Sequence, residues 1–176
     1  SWGGSGDKGT LFSFDPATNT FVKLLDLSSS VCSNPQGSLV EASNGKLYGM
    51  SAFVNGGSPQ GSIFVYDIAN NTATNVYTMN SVQGNSPNGG LIQAANGKLY
   101  GMSGIGGTSF NLWGTIFSFD PANNTFFKIF DFDSINGSYP QSDFIQASNG
   151  KLYGMTSSGG TKDKGTIISV DPATNV

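Results

Sequence analysis

Short apolar runs separated by polar, glycine-rich turns recur along the whole chain. In one stretch, the β-branched and aromatic run Gly61–Asp67 is followed by a polar turn and then by a second run at Thr72–Met79. Runs of this length and composition predict β-strands. Every stretch that could begin a helix soon meets Asn-Gly, Asp-Pro or Gly-Gly, so the pattern predicts no helices.

The runs belong to a repeat. The segment Asn-Gly-Lys-Leu-Tyr-Gly-Met begins at Asn44, Asn96 and Asn149, at spacings of 52 and 53 residues. A second phrase, Gly-Thr/Ser followed by an apolar run and Asp, occurs at Gly9–Asp15, Gly61–Asp67, Gly114–Asp120 and Gly165–Asp171. Asn-Gly between two strands predicts a hairpin with a type I′ turn, in which both turn residues take positive φ. Each unit therefore holds four short antiparallel strands.

Four-stranded units at this interval are typical of β-propeller blades. We treat residues 1–176 as one all-β repeat domain, with units at approximately 9–60, 61–113 and 114–164 and a partial unit at 165–176. A single four-stranded sheet cannot cover both of its faces, whereas packing blade against blade buries them. A β-sandwich and an extended β array are alternatives, but neither explains why every unit carries the same four-strand phrase.

The repeat resembles two known families. Lys-Leu-Tyr-Gly-Met, followed by Gly-Gly and a strand ending in Asp-Pro-Ala-Thr-Asn, resembles the kelch motif. The glycine pairs fall several residues later than in kelch, at Gly56-Gly57, Gly106-Gly107 and Gly159-Gly160. The Leu-Tyr-Gly-Met and Gly-Gly-x-x-x-x-Gly-Thr-Ile-Phe phrases look closer to the GloVer-type tandem repeat of large secreted or surface-anchored bacterial proteins. Both resemblances imply a propeller, and the second implies an extracellular or cell-surface location.

The kelch analogy also implies the phase of the blades. It makes the Ser38-type and Lys46-type strands the inner pair of each blade and the Gly61-type and Thr72-type strands the outer pair. The N-terminal part then supplies only outer strands, and the C-terminal part stops after a third strand. About three blades are fewer than the four to eight of closed propellers. We therefore expect a segment of a longer array, or copies that complete a ring together.

Composition narrows the classes of function. Charged residues make up 11% of the chain, the net charge is -3, and all eight cations are lysines, so no basic face for nucleic acid is expected. No apolar run is long enough to span a membrane. Histidine is absent, which removes Ser-His-Asp and Cys-His catalysis. The single Cys32 is interpreted as a small apolar residue of core or loop, and we expect no cofactor.

The remaining candidates for chemistry are carboxylates. One aspartate ends each equivalent strand, at Asp15, Asp67, Asp120 and Asp171. Turn capping is the expected role of these four residues. A Ca²⁺ site would need several clustered carboxylates, and the adjacent Pro-Ala-Thr-Asn supplies none, so we expect no metal. Asp131 and Asp133 are predicted to share the solvent-facing side of an outer strand, away from Phe130 and Phe132.

A polar side chain recurs on the inner strand of each unit, at Glu41, Gln93 and Gln146. Across the hairpin these residues are predicted to lie opposite Tyr48, Tyr100 and Tyr153. One interpretation is a polar ring that grips a ligand in a central channel. The other is a structural hydrogen bond, between blades or to a tyrosine hydroxyl. The structural interpretation is favoured, because a specific site usually departs from a repeat.

Aromatic residues in the glycine-rich loops depart from the repeat: Trp2, Trp113, Phe53 and Phe110. Exposed aromatics can stack on sugars or anchor a protein partner. Alternatively, they cover the ends of neighbouring strands. These four residues are the candidate ligand-binding residues.

The sequence favours a non-catalytic extracellular repeat protein with a structural, adhesive or protein-interaction role. Its expected partners are further blades of the same chain or other copies of itself, with glycans and surface proteins as further candidates. One alternative is a carbohydrate-binding, lectin-like propeller. Another is a glycan-active enzyme domain that uses an Asp/Glu pair, although no deeply placed pair is readable in the sequence.

Overall fold

A computed structural model describes residues 3–54, 60–108 and 111–175. Within these ranges the chain forms fourteen β-strands and no helix, which confirms the all-β prediction. This described part accordingly holds no apolar helix long enough to span a membrane. The strands are β1 (Thr10–Asp15), β2 (Thr20–Asp26), β3 (Ser33–Glu41), β4 (Leu47–Phe53), β5 (Ser62–Asp67), β6 (Thr72–Thr78), β7 (Ile92–Gln93), β8 (Leu99–Ser103), β9 (Thr115–Asp120), β10 (Thr125–Asp131), β11 (Ser138–Pro140), β12 (Ile145–Gln146), β13 (Leu152–Ser158) and β14 (Ile167–Val170).

The strands pair antiparallel in four sheets. Two sheets are complete blades, with the strand orders β3-β4-β5-β6 and β7-β8-β9-β10. β1 and β2 form a separate hairpin, and in the last sheet β13 pairs with β11, β12 and β14. Each complete blade takes its inner strands from one repeat unit and its outer strands from the next. The predicted propeller blades, and their phase along the chain, are therefore confirmed.

The Asn-Gly turns differ from the type I′ prediction. The three turn glycines have φ between 74° and 81°, whereas the asparagines before them stay outside the left-handed region. The Gly45 N–H donates to the Ala42 carbonyl over 2.8 Å, and the Ala42 N–H donates to the Lys46 carbonyl over 2.9 Å. This is a three-residue hairpin loop that ends in a glycine bulge. Asn44 shapes the loop with its side chain instead, because its Oδ1 accepts from the Lys46 N–H at 3.1 Å.

Each complete blade presents one apolar face to the blade before it and another to the blade after it. In the first complete blade, Tyr48, Met50 and Ile63 pack with Phe117 and Phe119 of the next blade. The following interface repeats the arrangement with Tyr100, Met102, Ile116, Leu152 and Val170. The core of the protein is therefore a series of inter-blade layers.

At the inner ends of the blades, main chain packs on main chain. A Cβ atom added to Gly37 would lie 2.5 Å from the carbonyl carbon of Gly89, and one added to Gly89 would lie 2.6 Å from the carbonyl oxygen of Ser142. Both positions therefore require glycine. Ser142 occupies the equivalent repeat position in the last blade. A side chain is accommodated there because no further blade packs against that face in the described part of the chain.

We predict that Gly89→Ala lowers the free energy of unfolding by about 1–3 kcal/mol, because the added methyl group forces neighbouring main chains apart. The matched change Ser142→Ala should cost less than about 1 kcal/mol, because it removes only hydrogen bonds of an exposed hydroxyl with Met155. Urea denaturation of both variants measures the difference. Equal midpoints for the two variants would contradict the close inter-blade packing.

Candidate functional site

The four repeat aspartates cap the turns that follow their strands. Each Oδ1 accepts from the N–H of the alanine two residues later, over 2.9 Å at Asp15, 3.0 Å at Asp67, 2.9 Å at Asp120 and 2.9 Å at Asp171. A hydrogen bond from the Thr18 hydroxyl is the main reason that the pKa of Asp15 lies below its ordinary value. Among the described residues, no group of three His, Cys, Asp or Glu side chains comes together to hold a metal ion.

Asp131 lies in an ion pair rather than in open solvent. Lys128 Nζ lies 2.8 Å from Asp131 Oδ1, and the Thr108 hydroxyl donates to Oδ2 over 2.5 Å. The prediction that Asp131 and Asp133 share a solvent-facing side was wrong for Asp131. β10 shifts register after Lys128 and ends at Asp131, so strand alternation does not extend to Asp133. Asp133 instead accepts from the Ile135 N–H at 2.9 Å and caps a turn.

The ion pair controls the protonation of Asp131. Burial of this carboxyl acts to raise its pKa, but the hydrogen bonds from Lys128 and Thr108 outweigh burial, so the pKa lies below its ordinary value. The carboxylate is therefore the form that the folded protein favours.

Gln93 links neighbouring blades. Its Oε1 accepts from the Ser43 N–H at 2.8 Å, and its Nε2 donates to the Gly97 carbonyl at 2.8 Å. The side chain thus ties its own hairpin loop to the loop of the preceding blade. In the last blade, Gln146 Nε2 makes the same hydrogen bond within its own loop at 2.9 Å. Glu41 cannot donate such a bond as a carboxylate, and it is exposed.

The tyrosines lie one register position away from the prediction. Gln93 pairs with Leu99, and Ile92 pairs with Tyr100. Glu41 and Gln146 likewise pair with leucines rather than with tyrosines. The predicted pairing was wrong because a three-residue loop shifts the register by one position relative to a two-residue turn. The hydroxyls of the tyrosines instead accept from the loop asparagines, over 3.0 Å at Tyr48, 2.9 Å at Tyr100 and 2.9 Å at Tyr153.

Of the four loop aromatics, Trp2 and Phe110 lie outside the described residues. Phe53 is the half-buried last residue of β4. Trp113 is half-buried and stacks on Tyr139, with the ring centroids 6.3 Å apart and the ring planes within 22° of each other. Sequence reasoning missed Tyr139, although it also departs from the repeat, which carries polar residues at this position.

A cleft of about 540 Å³ opens beside Trp113. It is lined by Trp113, Ser134, Ile135, Gly160, Thr161 and Asp163. The Gly160 N–H donates to the Ser134 carbonyl over 2.9 Å and so joins the two loops that form the cleft. The cleft combines an aromatic wall with hydroxyls and one carboxylate.

Two blade faces are open. Phe12 in β1 is 57% exposed, whereas its repeat equivalent Phe117 in β9 is fully buried. At the opposite end, Ile167 in β14 is 78% exposed, whereas its equivalent Ile63 in β5 is fully buried. Met155 beside Ile167 is exposed as well. The residue types are those of the interior interfaces, so the open faces have the chemistry of a blade contact.

Each incomplete blade borders a groove. One groove of about 540 Å³ lies between β1 and the first complete blade, with Phe12, Leu39 and Phe64 in its wall. The other, of about 620 Å³, runs along β14 with Phe130 and Ile167 in its wall. In the complete blades, β6 and β10 cover the edge of the third strand that β14 leaves open, and β4 and β8 cover the edge that β1 leaves open. The grooves therefore lie where a complete propeller has further strands.

Cys32 is fully buried between the first hairpin and the first complete blade. Burial raises the pKa of its thiol to about 12. The thiol is therefore protonated at neutral pH and has little nucleophilic character.

A family model described as the Gloeobacter/Verrucomicrobia repeat matches residues 1–176. Among solved structures, the chain is similar to the crystal structure of TolB from Acinetobacter baumannii, with a TM-score of 0.57 and 14% sequence identity. The alignment covers 95% of this chain and 36% of that chain, so the chain spans about a third of the TolB structure. At this identity the likeness shows the fold alone. No curated protein matches the chain.

We predict that Asp131→Asn lowers stability by an amount that depends on pH. Because the folded protein depresses the pKa of Asp131, its stabilising contribution is present above the unfolded pKa of about 4 and disappears as the pH falls through the folded value. Urea midpoints of wild type and variant should differ at neutral pH and converge in acid. Asp7→Asn, at an exposed aspartate, is the control. A difference between the urea midpoints of wild type and Asp131→Asn that persists unchanged in acid would contradict a stabilising ion pair.

Proposed function

The chain belongs to the Gloeobacter/Verrucomicrobia repeat family, and on that premise we propose that it is a non-catalytic module that joins further blades of the same repeat. The observation that carries this proposal is the pair of open blade faces. The open face at one end of the chain resembles one side of an interior inter-blade interface, and the open face at the other end resembles the opposite side. The kinship of the repeat with kelch motifs stays a prediction.

The interior interfaces indicate what would cover the open faces. Inside the chain, a tyrosine–methionine–isoleucine face packs on the phenylalanine face of the next blade. The open face at the end of the chain carries Tyr153, Met155 and Ile167, and the open face at the start carries Phe12 and Phe14. Burying one exposed side chain of this size stabilises an association by about 1.5–3 kcal/mol. A head-to-tail contact between such faces is heterologous and can close into a ring.

A non-catalytic role is supported by how the carboxylates are used. The turn aspartates hold the loops between strands, while Asp26 and Asp131 pair with lysines at 3.1 Å and 2.8 Å. The chain contains no histidine. A turnover that depends on one of these carboxylates would argue against the proposal.

We further propose a structural or adhesive role outside the cell. The low charge content and the resemblance to repeats of secreted bacterial proteins support this location. Labelling of intact source cells with a membrane-impermeant amine reagent tests it, because the chain carries eight lysines. Labelling only after cell lysis would contradict an extracellular location.

We predict that the 176-residue chain sediments at a mass above 18.3 kDa, in a manner that depends on concentration. Ile167→Lys should return it to a single copy, because a charge then lies in the apolar contact. The variant should unfold within about 0.5 kcal/mol of wild type, since Ile167 is exposed in the single chain. Analytical ultracentrifugation and urea denaturation provide the two measurements.

The matched control for this experiment is Ile68→Lys. Ile68 is exposed in the turn between β5 and β6, and it lines neither groove. The Ile68→Lys variant should sediment at the same mass as the wild-type chain. A wild-type chain that stays at one copy up to high concentration, or equal effects of the two lysine variants, would exclude association through the open faces.

A further inference from the structure

Two departures from the repeat meet on the loop side of the blades. Trp113 and Tyr139 both replace residues that are polar in the other repeats. The equivalents of Trp113 are Lys8, Gln60 and Lys164, and those of Tyr139 are Asn34 and Ser86. The two aromatic rings stack on each other, and the Tyr139 N–H donates to the Trp113 carbonyl over 2.8 Å. The two substitutions therefore form one local unit.

Tyr139 occupies an unfavourable backbone position. Its φ is 53°, close to the 56° of Asn34 and the 50° of Ser86. Asparagine tolerates this left-handed region, whereas a bulky aromatic residue rarely adopts it. A bulky residue at such a position is a reason to look for a functional role of the ring.

The cleft beside this aromatic pair has a polar rim held in place by the fold. Asp163 Oδ1 accepts from the Gly159 N–H over 2.8 Å. The Asp163 N–H donates to the Gly160 carbonyl over 3.0 Å. Thr161 and Ser134 add hydroxyls to the same wall. The rim therefore presents one carboxylate and two hydroxyls, and the carboxylate lies on a loop that these hydrogen bonds hold in place.

We propose that this cleft binds one or two pyranose rings of a neutral glycan. The C–H face of a sugar ring packs on an aromatic wall such as Trp113, and sugar hydroxyls donate to a carboxylate such as Asp163. The volume of about 540 Å³ lies within the range of small-ligand sites. A purely apolar partner would bury Asp163 without a hydrogen bond, and an acidic sugar would be repelled by it. The cleft shares Ile135 with the groove along β14, but none of the open-face residues Phe12, Met155 and Ile167 lines it.

Trp113 itself can report the binding. The chain has two tryptophans, so Trp2→Phe leaves Trp113 as the single fluorophore. Titration with cellotetraose, chitotetraose and mannotetraose should give a saturable change in tryptophan fluorescence with at least one of these sugars. Asp163→Asn keeps the Oδ1 acceptor for Gly159 and should weaken that binding about tenfold.

Two further variants separate binding from structure. Asp7 occupies the same loop position in the first repeat, with φ of 52° against 49° for Asp163, and Asp7→Asn should leave sugar binding unchanged. Tyr139→Asn restores a repeat residue that suits positive φ, so its unfolding midpoint should equal or exceed that of wild type. The same variant should bind sugar about tenfold more weakly, because Trp113 loses its stacking partner.

Three results would overturn the sugar site. The first is an unchanged fluorescence with all three sugars at millimolar concentration. The second is an equal effect of Asp163→Asn and Asp7→Asn on the affinity. The third is a Tyr139→Asn variant that binds sugar as wild type does, which would leave the aromatic pair with a packing role only.

Discussion

A four-stranded sheet with two apolar faces is stable in water only when both faces are covered, and the remaining features of this protein depend on that constraint. The complete blades satisfy it by packing on each other, with Met50 and Ile63 buried on one side and Phe64 on the other. The close approach of Gly37 and Gly89 at the inner ends follows from the same packing, because side chains there would hold the blades apart. The open faces are the places where no described residue of this chain meets the constraint.

Equal positions in the repeat consequently have unequal environments. Ile63 and Ile167 occupy the same place in the repeat, yet one is buried and the other is exposed. The segment Asn-Gly-Lys-Leu-Tyr-Gly-Met serves the structure: its Asn holds the loop and the tyrosine hydroxyl, and its Tyr and Met fill inter-blade layers. Side chains that are specific to one repeat occur instead where the repeat is broken, as at Trp113 and Tyr139.

The differences between sequence and structure have one main origin. Asn-Gly predicts a two-residue turn, but the loop closes over three residues with only the glycine in the left-handed region. That single residue moves Gln93 from opposite Tyr100 to opposite Leu99. Asp131 was misplaced for a related reason, since a register shift in β10 interrupts the alternation on which the prediction relied. Irregularities of one residue are not visible in a hydrophobic pattern.

The sequence by itself determined the repeat, the strands and their antiparallel order within a blade, whereas the phase of the blades was implied by the resemblance to kelch. These follow from local propensity and from the period of apolar residues, which neighbouring residues specify directly. Only the tertiary structure decided which copies of a repeated side chain are buried, that Trp113 stacks on Tyr139, and that Trp113 and Asp163 line one cleft. Contacts between loops of different strands depend on how sheets stack, and stacking depends on packing between residues distant in the chain.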